Sequence, residues 1–249
     1  MATLQVKVKG EIGQLSASSF AAILRRSLDV LQDLDRRMSE TSRGTVDWVI
    51  SRIGEGSINL DITSRPRRGI EDDYGTRAVE GFTNGIRTIS TIGETPAYFS
   101  QKNLLAIRDI VREVGRDGVS GVDYGLPDEL PVVLTQETES ELENLVGIRY
   151  RALGSIEGMI ELVSIRRGSR RFNLTQERTL RVIRCNLPDL VEDAAIQAMR
   201  DKRRVIAFGL VAYNGRNEAI SLDLRQELRF FGLPDELPTS QDLAGSDPE

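Results

Sequence analysis

Apolar and polar positions alternate with period two over residues 3–9, where Leu4, Val6 and Val8 share one face, and this predicts a first strand. After a turn at residues 10–13 the period lengthens to that of a helix. Phe20, Ile23, Leu24, Leu28, Leu31, Leu34 and Met38 then fall on one stripe that runs to about Ser39, with serines at 16, 18 and 19 as candidate N-caps. Residues 45–53 return to alternation, with Val46, Trp48 and Ile50 on one side. Residues 54–57 read as a turn, and Ile58, Leu60 and Ile62 alternate again, which predicts a hairpin. Residues 64–69 read as a loop. Glu71, Asp72 and Asp73 open a second helix with Val79, Phe82, Ile86 and Ile89 inward, and a third helix from about Ser100 carries Leu104, Ile107, Val111 and Val114. A Gly- and Pro-rich connector over residues 115–131 holds a short strand at 119–124, and a short helix covers about 135–146. The first region, residues 1–146, is therefore expected to be α+β in the order βαββααβ, an antiparallel sheet with helices on one side.

The pattern then changes. Residues 149–165 predict one long strand interrupted by glycines at 154 and 158, followed by shorter strands at 170–175 and 179–187. Pro188 and Asp189 open a helix with Leu190, Val191, Ala194, Ala195, Ile196 and Met199 apolar. Strands at 203–213 and 219–224 follow, joined by an Asn214-Gly215 turn signal. This order, β-β-β-α-β-β, resembles the OB-fold, and the resemblance implies a five-stranded barrel with one inserted helix over residues 147–230. Gly158 suits a first strand that must bend to serve both halves of such a barrel. Residues 231–249 read as an acidic flexible tail.

Two further patterns stand out. Trp48 followed by Gly56-Ser57, and then Gly154-Ser-Ile-Glu-Gly158, resemble the pattern of an uncharacterised bacterial family, a likeness that implies no activity. Gly125-Leu-Pro-Asp-Glu-Leu-Pro131 recurs identically as Gly232-Leu-Pro-Asp-Glu-Leu-Pro238. The sequence suits a turn or a helix start, and equally a short docking motif.

The chain has 249 residues, 39% hydrophobic and 29% charged, as in folded two-domain proteins. No apolar run is long enough for a membrane helix, the N-terminal residues lack the apolar stretch of a signal peptide, and a bacterial cytoplasmic setting is expected. One cysteine, Cys185, excludes a disulfide within the chain. The absence of histidine excludes Ser-His-Asp triads, Cys-His dyads and histidine metal centres from it.

Remaining candidates for chemistry are sparse. Glu157 and Glu161 lie four apart on a strand, roughly 13 Å, too far to act as a pair. Glu71, Asp72 and Asp73 could hold magnesium, but acids at a helix start also simply favour the helix dipole. No phosphate-binding glycine loop is present. The sequence therefore predicts no enzyme, metal or cofactor.

The net charge of −5 is unevenly spread, with Lys and Arg in excess over Asp and Glu from Ile148 to Asn217. Arg166, Arg167, Arg170, Arg171 and Phe172 sit at the turn between the first two barrel strands. Arg178, Arg181 and Arg184 lie on or beside the third strand, and Lys202, Arg203 and Arg204 lead into the fourth. These residues form the candidate nucleic-acid surface, with Phe172 the one aromatic available for stacking; solvated arginines or a protein contact are the alternative. The fourth strand, Val205-Ile-Ala-Phe-Gly-Leu-Val-Ala212, is apolar on both faces, so its outer side should be covered by the first region or by a partner. The expected function is that of a non-catalytic accessory or regulatory binding protein contacting nucleic acid or an acidic protein surface. The alternative is a protein-binding adaptor, antitoxin-like neutraliser or scaffold subunit, with a protein partner or a second copy of the chain and no membrane.

Overall fold

Short runs of alternating residues cannot bury their apolar side alone, and here two sheets solve that problem separately. The computed structural model describes residues 1–10, 13–41, 43–54, 58–70, 73–166 and 169–231. Strands β1 (Thr3–Gly10), β2 (Val46–Gly54), β3 (Ile58–Pro66), β4 (Val119–Gly125) and β5 (Val132–Leu134) form a wholly antiparallel sheet in the order β2-β3-β1-β4-β5. Leu4, Val6 and Val8 enter a core shared with helices α1 (Ala17–Met38), α2 (Tyr74–Thr91), α3 (Gln101–Val111) and α4 (Thr138–Val146), while Gln5 and Lys7 on the opposite face are exposed. Val79, Phe82, Ile86 and Ile89, and likewise Leu104, Ile107, Val111 and Val114, are buried as their spacing predicts.

Departures from the pattern have local causes. Ile50, expected inward, keeps its register opposite fully buried Ile62 but is 50% exposed on the edge strand of the sheet, and a bulge between Ile50 and Arg52 follows it. The expected loop at 64–69 begins later, since β3 continues through Pro66 against Val46. The stripe of α1 is rotated: Ile23, Leu31 and Leu34 are fully buried, but Phe20, Leu24 and Leu28 lie half-buried at its edge. The buried side gains polar residues instead. Asp35 accepts from the Thr45 amide at 2.7 Å and the Thr45 hydroxyl at 2.5 Å, and Ser27 receives the hydroxyl of Tyr124 at 2.7 Å. Gly44 has φ +73, and a β-carbon there would meet the Asp35 carboxylate at 2.5 Å.

The second sheet is mixed. It comprises β6 (Tyr150–Arg166), β7 (Ser169–Thr175), β8 (Val182–Asn186), β9 (Arg204–Tyr213), β10 (Ala219–Leu224) and the short β11 (Arg229–Phe230). Pairing runs β6 to β7, β7 to β8, β8 to β10 in parallel, β10 to β9, and β9 back to β6, a closed circuit. A single 3-10 turn at Asp189–Val191 and helix α5 (Glu192–Arg200) connect β8 to β9. β6 is long because it pairs twice, with β9 up to Met159 and with β7 from Met159 onward. Gly158 stands at that handover, where a β-carbon would lie 2.2 Å from the Thr175 carbonyl oxygen. Phe172, Leu174, Ile183, Cys185, Val205, Ala207 and Val211 fill the core.

The two units meet through buried polar groups. Glu218, in the turn before β10, accepts from the Thr95 hydroxyl at 2.6 Å and the Asn214 amide at 2.9 Å, and pairs with Arg181 at 2.6 Å. Asn214, fully buried, also donates to the Leu145 carbonyl at 3.1 Å and accepts the amides of Arg216 and Glu218 at 2.9 Å each. The Asn214-Gly215 signal is thus both a turn and a contact point between the two units, with the Gly215 amide donating to the Asn144 carbonyl at 2.8 Å. These contacts centre on the β9–β10 turn and not on the outer face of β9, whose Ile206, Phe208 and Leu210 stay half-exposed. Among the described residues no helix is long and apolar enough to cross a membrane.

Candidate functional site

A strand in a closed circuit turns alternate side chains outward, so polar residues spaced two apart on adjacent strands collect into rows. One such row runs Arg151, Ala212, Ser221, Arg184 across β6, β9, β10 and β8, each directly paired with the next. A second row brings Leu153 opposite Leu210 and Leu210 opposite Asp223. Between them lies a groove of about 450 Å³ lined by Arg151, Arg170, Arg171, Arg184, Asn186, Leu210, Ala212, Ser221, Leu222 and Asp223.

Its electrostatics are one-sided. Four guanidinium groups face one carboxylate, and Asp223 is itself paired with Arg225 at 2.8 Å. Arg170 is held by Asp189 and Glu192, from the 3-10 turn and the start of α5. Arg151 and Arg184 are exposed and have no carboxylate partner among the described residues. The groove therefore offers unneutralised guanidinium groups over an apolar floor of Leu210 and Ala212, a setting in which planar bidentate binding of phosphate or carboxylate is strong.

Three of the residues expected from the sequence, Arg170, Arg171 and Arg184, come together here. The rest are placed elsewhere. Arg166 ends β6 and Arg178 lies in the β7–β8 turn, both exposed, and Arg167 is outside the described residues. Phe172 is fully buried, so the single aromatic expected to stack on a base is a core residue: its position on β7 points inward, opposite Cys185. Arg181 is committed to Glu218 in the interface. Lys202 pairs with Glu40 at 2.8 Å, Arg203 donates to the Phe231 carbonyl at 2.9 Å, and Arg204 binds Glu157 and lies 4.9 Å over the Phe231 ring. These last three sit at the start of β9, roughly 26 Å along the strand from Ala212, at the opposite end from the groove. Arg151 was missed because its neighbour Ala212 is 61 positions away in sequence; only the pairing of β6 with β9 brings them together.

The carboxylates considered for chemistry are structural. Glu157 serves Arg204, and Glu161 lies 3.7 Å from Arg37, its carboxyl pushed above the ordinary range chiefly by partial desolvation. Asp73 caps α2, and hydrogen bonds from Thr76 hold its carboxyl below the usual value; Glu71 and Asp72 are outside the described residues. Burial pushes the Cys185 thiol far above its ordinary range. Among the described residues no group of Asp, Glu and Cys side chains is arranged to hold a metal ion.

The first copy of the repeated heptapeptide ends β4 and turns into β5. Leu126 is tucked against the core, Asp128 and Glu129 are exposed, and Leu130 is 89% exposed. The second copy, like Gly56 and Ser57, lies outside the described residues. Comparisons with family models, curated proteins and solved structures give no match to this chain.

Proposed function

We propose that the chain is a non-catalytic accessory or regulatory binding protein whose C-terminal unit is an OB-like barrel that grips the phosphate backbone of nucleic acid. The closed circuit of five strands with a helix between the third and fourth supports the barrel reading. The observation that carries the function is the groove: four arginines, two of them without a carboxylate partner among the described residues, against a single paired acid. Because aromatics are absent from its lining, backbone charge and not base stacking supplies the affinity. A cytoplasmic setting belongs to the same proposal.

Fluorescence anisotropy of a labelled deoxythymidine oligonucleotide titrated with the full chain tests it. With about three phosphates neutralised, a fourfold rise in salt should weaken binding by roughly 20-fold. No binding at low salt contradicts the proposal.

A second reading, a protein-binding adaptor, draws support from the apolar rim beside the groove, where Leu153 is 69% exposed next to half-exposed Leu210 and Phe208. It predicts a protein that co-purifies and is displaced by Leu153→Asp but not by salt.

A further inference from the structure

Residues 232–249 contain Asp235, Glu236, Asp242, Asp247 and Glu249 and neither Lys nor Arg. The whole chain carries −5, so this segment accounts for all of the net charge and residues 1–231 are together neutral. Its first seven residues repeat the sequence of 125–131, and that described copy shows what the heptapeptide offers a partner: two exposed carboxylates followed by a leucine exposed to 89%. The groove offers the complement, Arg151 and Arg184 without carboxylate partners among the described residues, beside Leu210 and the exposed Leu153. Its arginines already bind carboxylates of this chain, since Arg170 is held by Asp189 and Glu192.

Reach is not limiting. The Phe231 amide donates to the Arg204 carbonyl at 3.0 Å, which fixes the last described residue at the start of β9. Leu210 and Ala212 lie six and eight residues along that strand, about 20–26 Å away. Eighteen residues can span up to about 60 Å.

We propose that residues 232–249 occupy the arginine groove of their own chain and compete there with the polyanion, an autoinhibitory contact that rests on the polyanion reading of the groove. Tethering gives the segment an effective concentration of about a millimolar, so a segment that binds at about 0.1–0.5 mM weakens polyanion binding by about 3–10-fold. The contact is ionic and fades with salt.

The test compares the full chain with a full-length variant carrying Asp235→Asn, Glu236→Gln, Asp242→Asn, Asp247→Asn and Glu249→Gln. Two fluorescein-labelled probes are used at low salt: a deoxythymidine oligonucleotide, and a peptide of residues 232–249. The variant should bind the oligonucleotide about 3–10-fold more tightly than the natural chain. It should also bind the peptide, which competes with the oligonucleotide, and lose both when Arg151→Glu and Arg184→Glu are added. Unchanged oligonucleotide affinity in the variant overturns the autoinhibitory contact and leaves the polyanion reading standing. A gain without peptide binding is long-range repulsion and also overturns it. Should the peptide bind through Arg151 and Arg184 while neither form binds oligonucleotide, the nucleic-acid reading falls and the contact of segment and groove survives.

Discussion

Asn214 illustrates how much a single side chain can hold when it is buried with every polar atom satisfied. Its amide bridges Glu218 and the Leu145 carbonyl, and its oxygen accepts two backbone amides. Asn214→Ala would leave the Glu218 carboxylate and a buried carbonyl short of partners, at a cost of about 2–4 kcal/mol, read as a lower urea midpoint. A shift below about 0.5 kcal/mol would show that water replaces the amide freely. Cys185 makes the opposite case, a buried side chain whose thiol makes one weak hydrogen bond, to the Ile183 carbonyl at 3.8 Å. Enclosed at 0% exposure, with its thiol pushed up by burial, it should react with an aromatic disulfide reagent slower than the unfolded chain by on the order of 100-fold or more. Rapid labelling of the native protein would contradict that placement. At this scale the sequence was a fair guide to Asn214, whose turn signal with Gly215 the structure bears out. It was a poor guide to Phe172, because inside and outside positions of a strand differ by one residue, and a strand rich in arginine does not reveal which set faces the core.

At the scale of elements, glycines mark where strands approach too closely for a side chain. Gly158 and Gly154 lie on the same strand and face, yet a β-carbon at 158 would sit 2.2 Å from a backbone oxygen, against 3.4 Å from the Tyr213 hydroxyl at 154. Gly158→Ala should therefore destabilise by about 2–3 kcal/mol while Gly154→Ala costs under about 1, compared by thermal unfolding. Equal effects would show that the handover of β6 between its two partners does not depend on that close approach. The helices and most strands were legible from periodicity, since α2 and α3 bury the residues their spacing selects. The exceptions are short or interrupted: β5 has three residues, β11 has two, and a bulge breaks β2 between Ile50 and Arg52. None of these leaves a repeating pattern long enough to read.

At the scale of the whole molecule, tertiary structure divides the basic residues more finely than their position in the sequence does. The basic residues from Ile148 to Asn217 include an interface arginine, residues paired at the start of β9, and the groove set. The groove was only half legible, because Arg151 joins Arg184 through three successive strand pairings spanning most of the C-terminal unit. The proposed function stands on that grouping, and two charge-reversed forms of the chain separate it from the alternative that any basic surface would serve. Oligonucleotide binding at low salt is measured for Arg151→Glu with Arg184→Glu and, in parallel, for Lys202→Glu with Arg203→Glu at the opposite end. The account predicts that the first pair loses binding by at least about 100-fold, while the second changes it by less than about threefold. Equal losses in both, or binding retained by the first pair, would contradict it.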